Sequence, residues 1–179
     1  MPRSASDWTT YQLTEFMDGV SRAEDEPSTL ALAVERAAEA LEAEVAAVVV
    51  LTSVRASVGF PRGAVPDREL IAIAEGRASG IEVPGVGPCN AVKVPLHGQP
   101  PGTLLVARRQ NEPFGPDETV LLAGMARVLS LIQRLLRVVA GERMLREKVE
   151  RQARDNARLL ASLQDREPTS ARRRFPAAS

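Results

Sequence analysis

The residues able to do chemistry are few in this chain of 179 residues, and they are poorly spaced for it. Cys89, in the stretch GVGPCNAV at 85–92, is the single cysteine, which excludes an internal disulfide and any multi-cysteine metal site and fits a reducing compartment. His97, in HGQPPG at 97–102, is the single histidine. It has no second histidine with which to complete a metal or haem pair, and no Ser/His/Asp grouping can be assembled around it. It reads as an exposed turn residue. The glycines lack the spacing of a phosphate cradle. Six aromatic residues leave a large planar cofactor few stacking partners. The sequence therefore nominates no catalytic residue, no metal ligand and no cofactor.

The elements that would position any site read as follows. Leu13, Phe16, Met17 and Val20 repeat at helical spacing after Ser6 or Asp7, predicting a helix over about 8–22. A second helix opens at Ser28 behind Pro27 and carries Leu30, Val34, Ala37, Ala38 and Leu41. Residues 45–51 are all apolar and mostly β-branched, the composition of an interior strand covered on both faces. Residues 54–60 alternate, with Ala56, Val58 and Phe60 expected on one side, and a turn near Ser53 joins the two strands. A short helix capped by Asp67 turns Leu70, Ile73 and Ala74 inward and ends at Gly76 or Gly80. IEVPGVGPC, with Pro84, Gly85, Gly87 and Pro88, reads as a loop with an edge strand at most. AVKVPL and TLLVARR form a hairpin through HGQPPG, with Val92, Val94 and Leu96 sharing one face and Leu104 and Val106 sharing another.

Pro116, Asp117 and Glu118 then suit the first turn of a helix, proline by its fixed φ and the acids by the helix dipole. Apolar residues from Leu121 to Val139 are dense enough to require burial on more than one side. Beyond Gly141 the pattern thins to a heptad with Val138, Leu145, Gln152 and Leu159 at one seam position and Glu142, Val149, Asn156 and Leu163 at the other. A helix from 117 to about 166 is roughly 75 Å long. Such a stripe calls for a parallel twin, with Asn156 setting register. Val138, Leu145, Val149, Asn156, Leu159 and Leu163 are the expected homodimer interface. The chain from Arg134 onward holds 12 basic and 6 acidic residues. A solvated helix accounts for that excess, and the missing aromatic interleaving speaks against nucleic acid. The N-terminus lacks the apolar stretch of a signal peptide, and no uninterrupted apolar run approaches eighteen residues, so the expectation is a cytoplasmic protein without a membrane partner. The segment 167–179 has no period and reads as disordered.

The order helix, helix, strand, strand, helix, loop, hairpin and long helix resembles the GAF domain, a relative of PAS sensors. The resemblance is carried by AVERAAEALEAEVAAVVVLT, VKVPLHGQPPGTLLVARR and PFGPDETVLLAGMARVLSLIQRLL. It implies an α+β fold, a six-stranded antiparallel sheet flanked by helices, a sensory domain over 8–140 and a coiled-coil signalling helix over 141–166. It also implies a pocket between the sheet and its connections, for which Phe60, Ile71, Ile73, Cys89 and Val92 are the candidate ligand-binding residues. These are mostly apolar, so an apolar or weakly polar small molecule is the expected ligand. Phytochrome-like members attach a bilin through a cysteine followed by histidine; here Asn90 follows Cys89. Free-methionine sulfoxide reductases of this fold cycle through more than one cysteine. The cyclic-nucleotide motif of the family ends in Phe and Asp-Glu, echoed by Phe114, Asp117 and Glu118, but its Asn-Lys pair is absent and the spacing is one residue short.

The expected function is thus a non-enzymatic sensory and dimerisation module that passes a change in its core through the long helix to a signalling output domain or protein. Two alternatives stand beside it: a ligand-free structural dimerisation adaptor, and a GAF-fold small-molecule redox enzyme.

Overall fold

A computed structural model describes residues 5–61 and 63–164. The expected disordered tail at 167–179 lies outside them. The described elements are α1 (Ala5–Ser21), α2 (Glu26–Ala40), β1 (Val45–Val50), β2 (Ser53–Val58), α3 (Asp67–Ala74), β3 (Gly80–Val83), β4 (Gly87–Leu96), β5 (Gly102–Arg109) and α4 (Pro116–Gln164). The chain divides between Arg137 and Val138 into two units, the domain and the remainder of α4.

The five described strands form one antiparallel sheet in the order β2-β1-β5-β4-β3, one fewer than the six the resemblance implies. Its two faces explain the apolar runs. Ala46 and Val48 of β1, with Leu104 and Val106 of β5, meet Phe16, Leu30, Ala37, Leu122 and Met125 from α1, α2 and α4. Val45, Ala47 and Val49, with Leu105 and Ala107, face the other way onto Leu70 and Ile73 of α3. Strands with period-two side chains can be apolar at every position only where both faces are covered. The interior placement of β1 follows from that.

Several local expectations are corrected. Ser28 does not cap α2: Asp25 is the N-cap, its Oδ1 accepting from the Ser28 N–H at 2.8 Å, with Pro27 in the first turn. Asp67 sits in the first turn of α3 behind Pro66 and provides no side-chain cap. The C-terminus of α3 is closed by Gly76 in the left-handed region, with Arg77 N–H donating to Ala72 O at 2.8 Å and Gly76 N–H to Ile73 O at 2.9 Å, the paired bonds of a Schellman ending. The β1–β2 turn falls at Leu51 and Thr52, directly before Ser53, as expected.

The proline- and glycine-rich stretch at 81–89 does contain the edge strand allowed for it, and the rest is the tight turn and second strand of a hairpin rather than a loop. Gly85 adopts φ +78° behind Pro84, and Val86 N–H donates to Val83 O at 3.0 Å, so the turn reverses the chain and leaves β3 as a short edge strand. Phe60 also departs from expectation. Ala56 and Val58 pack on the helical layer of α1, α2 and α4, whereas Phe60 packs on the α3 side. The cause is Gly59, at φ +97°, where a Cβ would stand 2.0 Å from Glu44 O. That conformation breaks the alternation and turns the next side chain over.

Candidate functional site

Four of the predicted ligand-site residues gather on the α3 face of the sheet. Ile73 and Cys89 are interior there, and Phe60 and Ile71 are half-buried at the margin, alongside Leu70, Ile81 and Leu105. Val92 is not with them. β4 is continuous from Gly87, so residues three apart point to opposite faces, and Val92 packs on the helical layer. Lys93, on the same face of β4 as Cys89, donates from Nζ to Ala74 O at 2.8 Å and so holds a terminal carbonyl of α3 against the sheet. The site candidates had omitted it.

The Cys89 thiol is 1 % exposed, and its Sγ donates to Gly87 O at 3.6 Å. Burial, then the negative charge of Glu44 and, least, that of Glu82, raise its pKa above the ordinary thiol value, against the opposing charge of Arg109. A protonated, enclosed thiol is a poor nucleophile. Native protein at neutral pH is expected to react with iodoacetamide at least tenfold more slowly than the same protein in denaturant, as read by intact mass; equal rates would contradict this burial. Among the described residues no group of three or more His, Cys, Asp and Glu side chains converges as a metal set.

The most heavily bonded polar centre lies where the sheet meets the start of α4, and it turns on Arg108, absent from the sequence-based candidates. Arg108 is 9 % exposed at the end of β5. Its Nη1 donates to Glu118 Oε1 at 2.9 Å and to Leu41 O at 3.0 Å; its Nη2 donates to Glu118 Oε2 and Pro113 O, both at 3.0 Å. Nε donates to Glu112 O at 2.9 Å, and the guanidinium lies 4.4 Å from the Phe114 ring centroid. All five N–H groups of the side chain are engaged. Glu118 also accepts from the Gly115 N–H at 2.6 Å, the reach-back of a capping box. Burial alone lifts the Glu118 pKa, but the Arg108 hydrogen bonds, the Gly115 N–H and the Arg108 charge together outweigh it and hold the carboxyl below its ordinary value. The hydrogen bonds to Glu118 hold Arg108 above its own. The two shifts agree in sense. Phe114 and Glu118 thus serve an ion-pair clamp joining β5, the end of α2 and α4, which is more than dipole capping.

A second set of bonds fixes α4 further along. Ser130 Oγ accepts from the His97 N–H at 3.0 Å, Gln133 Nε2 donates to Glu26 Oε1 at 3.1 Å, and Arg137 donates to Gln99 O and Glu26. His97 is exposed, as its turn position predicts.

No protein-family model matches the sequence, and no curated protein matches it. Solved structures do. The GAF domain of a phosphoenolpyruvate-protein phosphotransferase from Coxiella burnetii is 17% identical, with a TM-score of 0.58 over 78% of this chain and 99% of that one. The GAF domain of a Pseudomonas syringae pv. tomato protein assigned as a sensor histidine kinase is 15% identical, with a TM-score of 0.56 over 75% of this chain and 92% of that one. The fold is that of a GAF domain. A bacteriophytochrome of R. palustris, 14% identical with a TM-score of 0.55, matches 88% of this chain and 43% of its own. In this GAF fold four of the predicted ligand residues lie on the α3 face of the sheet, and the Arg108 clamp lies where the sheet meets the start of α4.

The predicted seam lies mainly in the second unit, where Val138, Leu145, Val149, Leu159 and Leu163 are exposed apolar residues and Asn156 is exposed with them. The expectation of dense burial from Leu121 to Val139 holds within the chain only for part of that span. Leu121, Leu122, Met125, Ala126 and Leu129 are core residues, while Leu131, Leu135 and Val138 are exposed. By length and composition alone α4 is apolar enough to cross a membrane, but these core residues account for much of its apolarity.

Proposed function

We propose that this chain is a non-enzymatic sensory module of a bacterial cytoplasmic signalling system, which takes a small apolar or weakly polar molecule between α3 and the sheet. A parallel homodimer through Val138, Leu145, Val149, Asn156, Leu159 and Leu163 then carries the response toward an output domain or protein. Neither nucleic acid nor membrane is needed as a partner. The observation that carries the reading is the Arg108 clamp. Leu105 and Ala107 of β5 touch the α3 layer, and the next residue grips Glu118 in the first turn of α4. A displacement of β5 by a ligand changes the geometry of that grip, and a ligand favouring one of two α4 packings shifts their populations by its differential affinity.

A ligand-free adaptor is the second reading, favoured by the close packing of Ile73, Cys89, Leu105 and Ala107. The redox-enzyme reading is disfavoured by the enclosed, protonated state of Cys89. Native mass spectrometry of gently purified protein distinguishes these. The sensory reading expects a bound small molecule, and slower amide exchange at the start of α4 when it is bound. A clean apo mass, with no stabilisation across a metabolite library, supports the adaptor. Turnover abolished by Cys89→Ser would establish the enzyme.

A further inference from the structure

We propose that the β4–β5 loop is a releasable strap on α4: residues 130–137 detach from the domain and swing about Ser130, while residues 121–129 stay in the core. The attachment changes chemistry along the helix. Leu122, Met125, Ala126 and Leu129 face the domain as buried apolar residues, and among the described residues no apolar side chain of α4 beyond Leu129 is core. Ser130, Gln133 and Arg137 continue that face at spacings of three and four. Ser130 and Gln133 are 8 % and 5 % exposed, so the face stays covered, now by polar groups. Ile132 adds a half-buried apolar contact at its margin.

The strap and the start of α2 hold this polar face. His97 N–H donates to Ser130 Oγ at 3.0 Å, and Arg137 Nη1 donates to Gln99 O. Glu26 Oε1 accepts from Gln133 Nε2 at 3.1 Å and from Arg137 Nη2 at 3.4 Å. Release replaces each of these bonds by one to water, which changes the free energy little, whereas lifting Leu122 or Leu129 exposes apolar area. The polar stretch therefore opens while the apolar stretch stays closed, as regions of low and high local stability do. Ser130 supplies the hinge. Its Oγ also donates to Ala126 O at 2.7 Å, a back-bond to the preceding turn that favours bending. β5 joins the two attachments of α4. Its first residue, Gly102, follows the strap, where Pro101 O accepts from the Leu51 N–H at 3.4 Å, and its other end carries Arg108, whose engaged guanidinium fixes the start of the helix. Arg137, the last strapped residue, is also the last residue of the domain unit. Displacement of the β4–β5 loop is enough to operate the device, which needs neither a bound molecule nor a paired tail.

Pulsed electron spin resonance on the full chain tests this, with Cys89→Ser as background and labelled protein diluted into unlabelled protein so that every distance lies within one chain. One nitroxide pair sits on Glu35→Cys of α2 and Arg134→Cys, beyond the hinge; the other sits on Glu35→Cys and Arg127→Cys, before it. All three positions are exposed. The 35–134 pair is expected to show a strapped distance and a second, released population, and the 35–127 pair a single distance. Arg137→Met, which removes two of the bonds, should enlarge the released population at least threefold. Gln133→Leu, which continues the apolar face, should shrink it at least threefold. Glu26→Gln, a milder change at a half-buried site, should enlarge it by less than Arg137→Met does. One unchanged 35–134 distance across all of these proteins overturns the strap. Broadening of equal size at the 35–127 pair overturns the hinge, because α4 then leaves the domain as a whole.

Discussion

Replacing Arg108 by methionine is expected to lower the unfolding free energy by about 3 kcal/mol, read as a fall in the urea midpoint at constant slope. Methionine keeps the bulk of the stem and removes the charge. Glu118 then stays partly buried without its cation, and the carbonyls of Leu41, Glu112 and Pro113 lose a donor. The size of the effect comes from those stranded groups rather than from the net worth of the pair, because an ion pair removed whole is often nearly neutral. Glu118→Gln should therefore cost less, about 1–2 kcal/mol, since an amide still accepts a hydrogen bond. Amide exchange through the first turns of α4 should accelerate in Arg108→Met, and an unchanged midpoint with unchanged exchange would deny the clamp its role.

The same pair has a pH signature. A carboxylate whose folded pKa lies below its unfolded value contributes stability that is complete above the unfolded pKa and is lost as pH falls through the folded one. The Glu118 pKa is lowered, so its contribution should decline below about pH 4.3. Arg108→Met should show a shallower decline over that interval, because the cation that depresses the Glu118 pKa is gone. Parallel acid profiles for the two proteins would contradict the assignment.

Val49→Asp is expected to abolish cooperative folding at neutral pH. Val49 is 2 % exposed in an interior strand, paired with Thr103 on one side and Val54 on the other, and its side chain enters the α3-side core. A carboxylate there has no partner, and the loss should exceed about 4 kcal/mol against a total stability of about 5–15 kcal/mol. Arg55→Asp, on the exposed face of β2, should change stability by no more than about 0.5 kcal/mol. A soluble Val49→Asp protein with an ordinary melting transition would mean that β1 is not buried on both faces.

The sequence alone determined the layers. The apolar residues at 45–50 can be satisfied only between two covering layers, and the alternating residues of 103–107 supplied the complementary strand; Leu51, the seventh of the apolar run, is instead an exposed turn residue. The long apolar α4 and its seven-residue spacing were equally legible, because periodicity is a property of neighbouring residues. Tertiary structure decided what depends on remote partners. Arg108 looks like one of two arginines closing a strand until Leu41, 67 residues away, is brought against it together with Glu118. Lys93 reads as a strand cation until Ala74 O arrives beside it. Cys89 and Val92 could be assigned opposite faces only once β4 was known to run unbroken from Gly87, through a segment whose prolines and glycines argue locally for a loop. Phe60 changed face because Gly59 must pass close to the Glu44 carbonyl, a steric condition between segments that no local pattern contains.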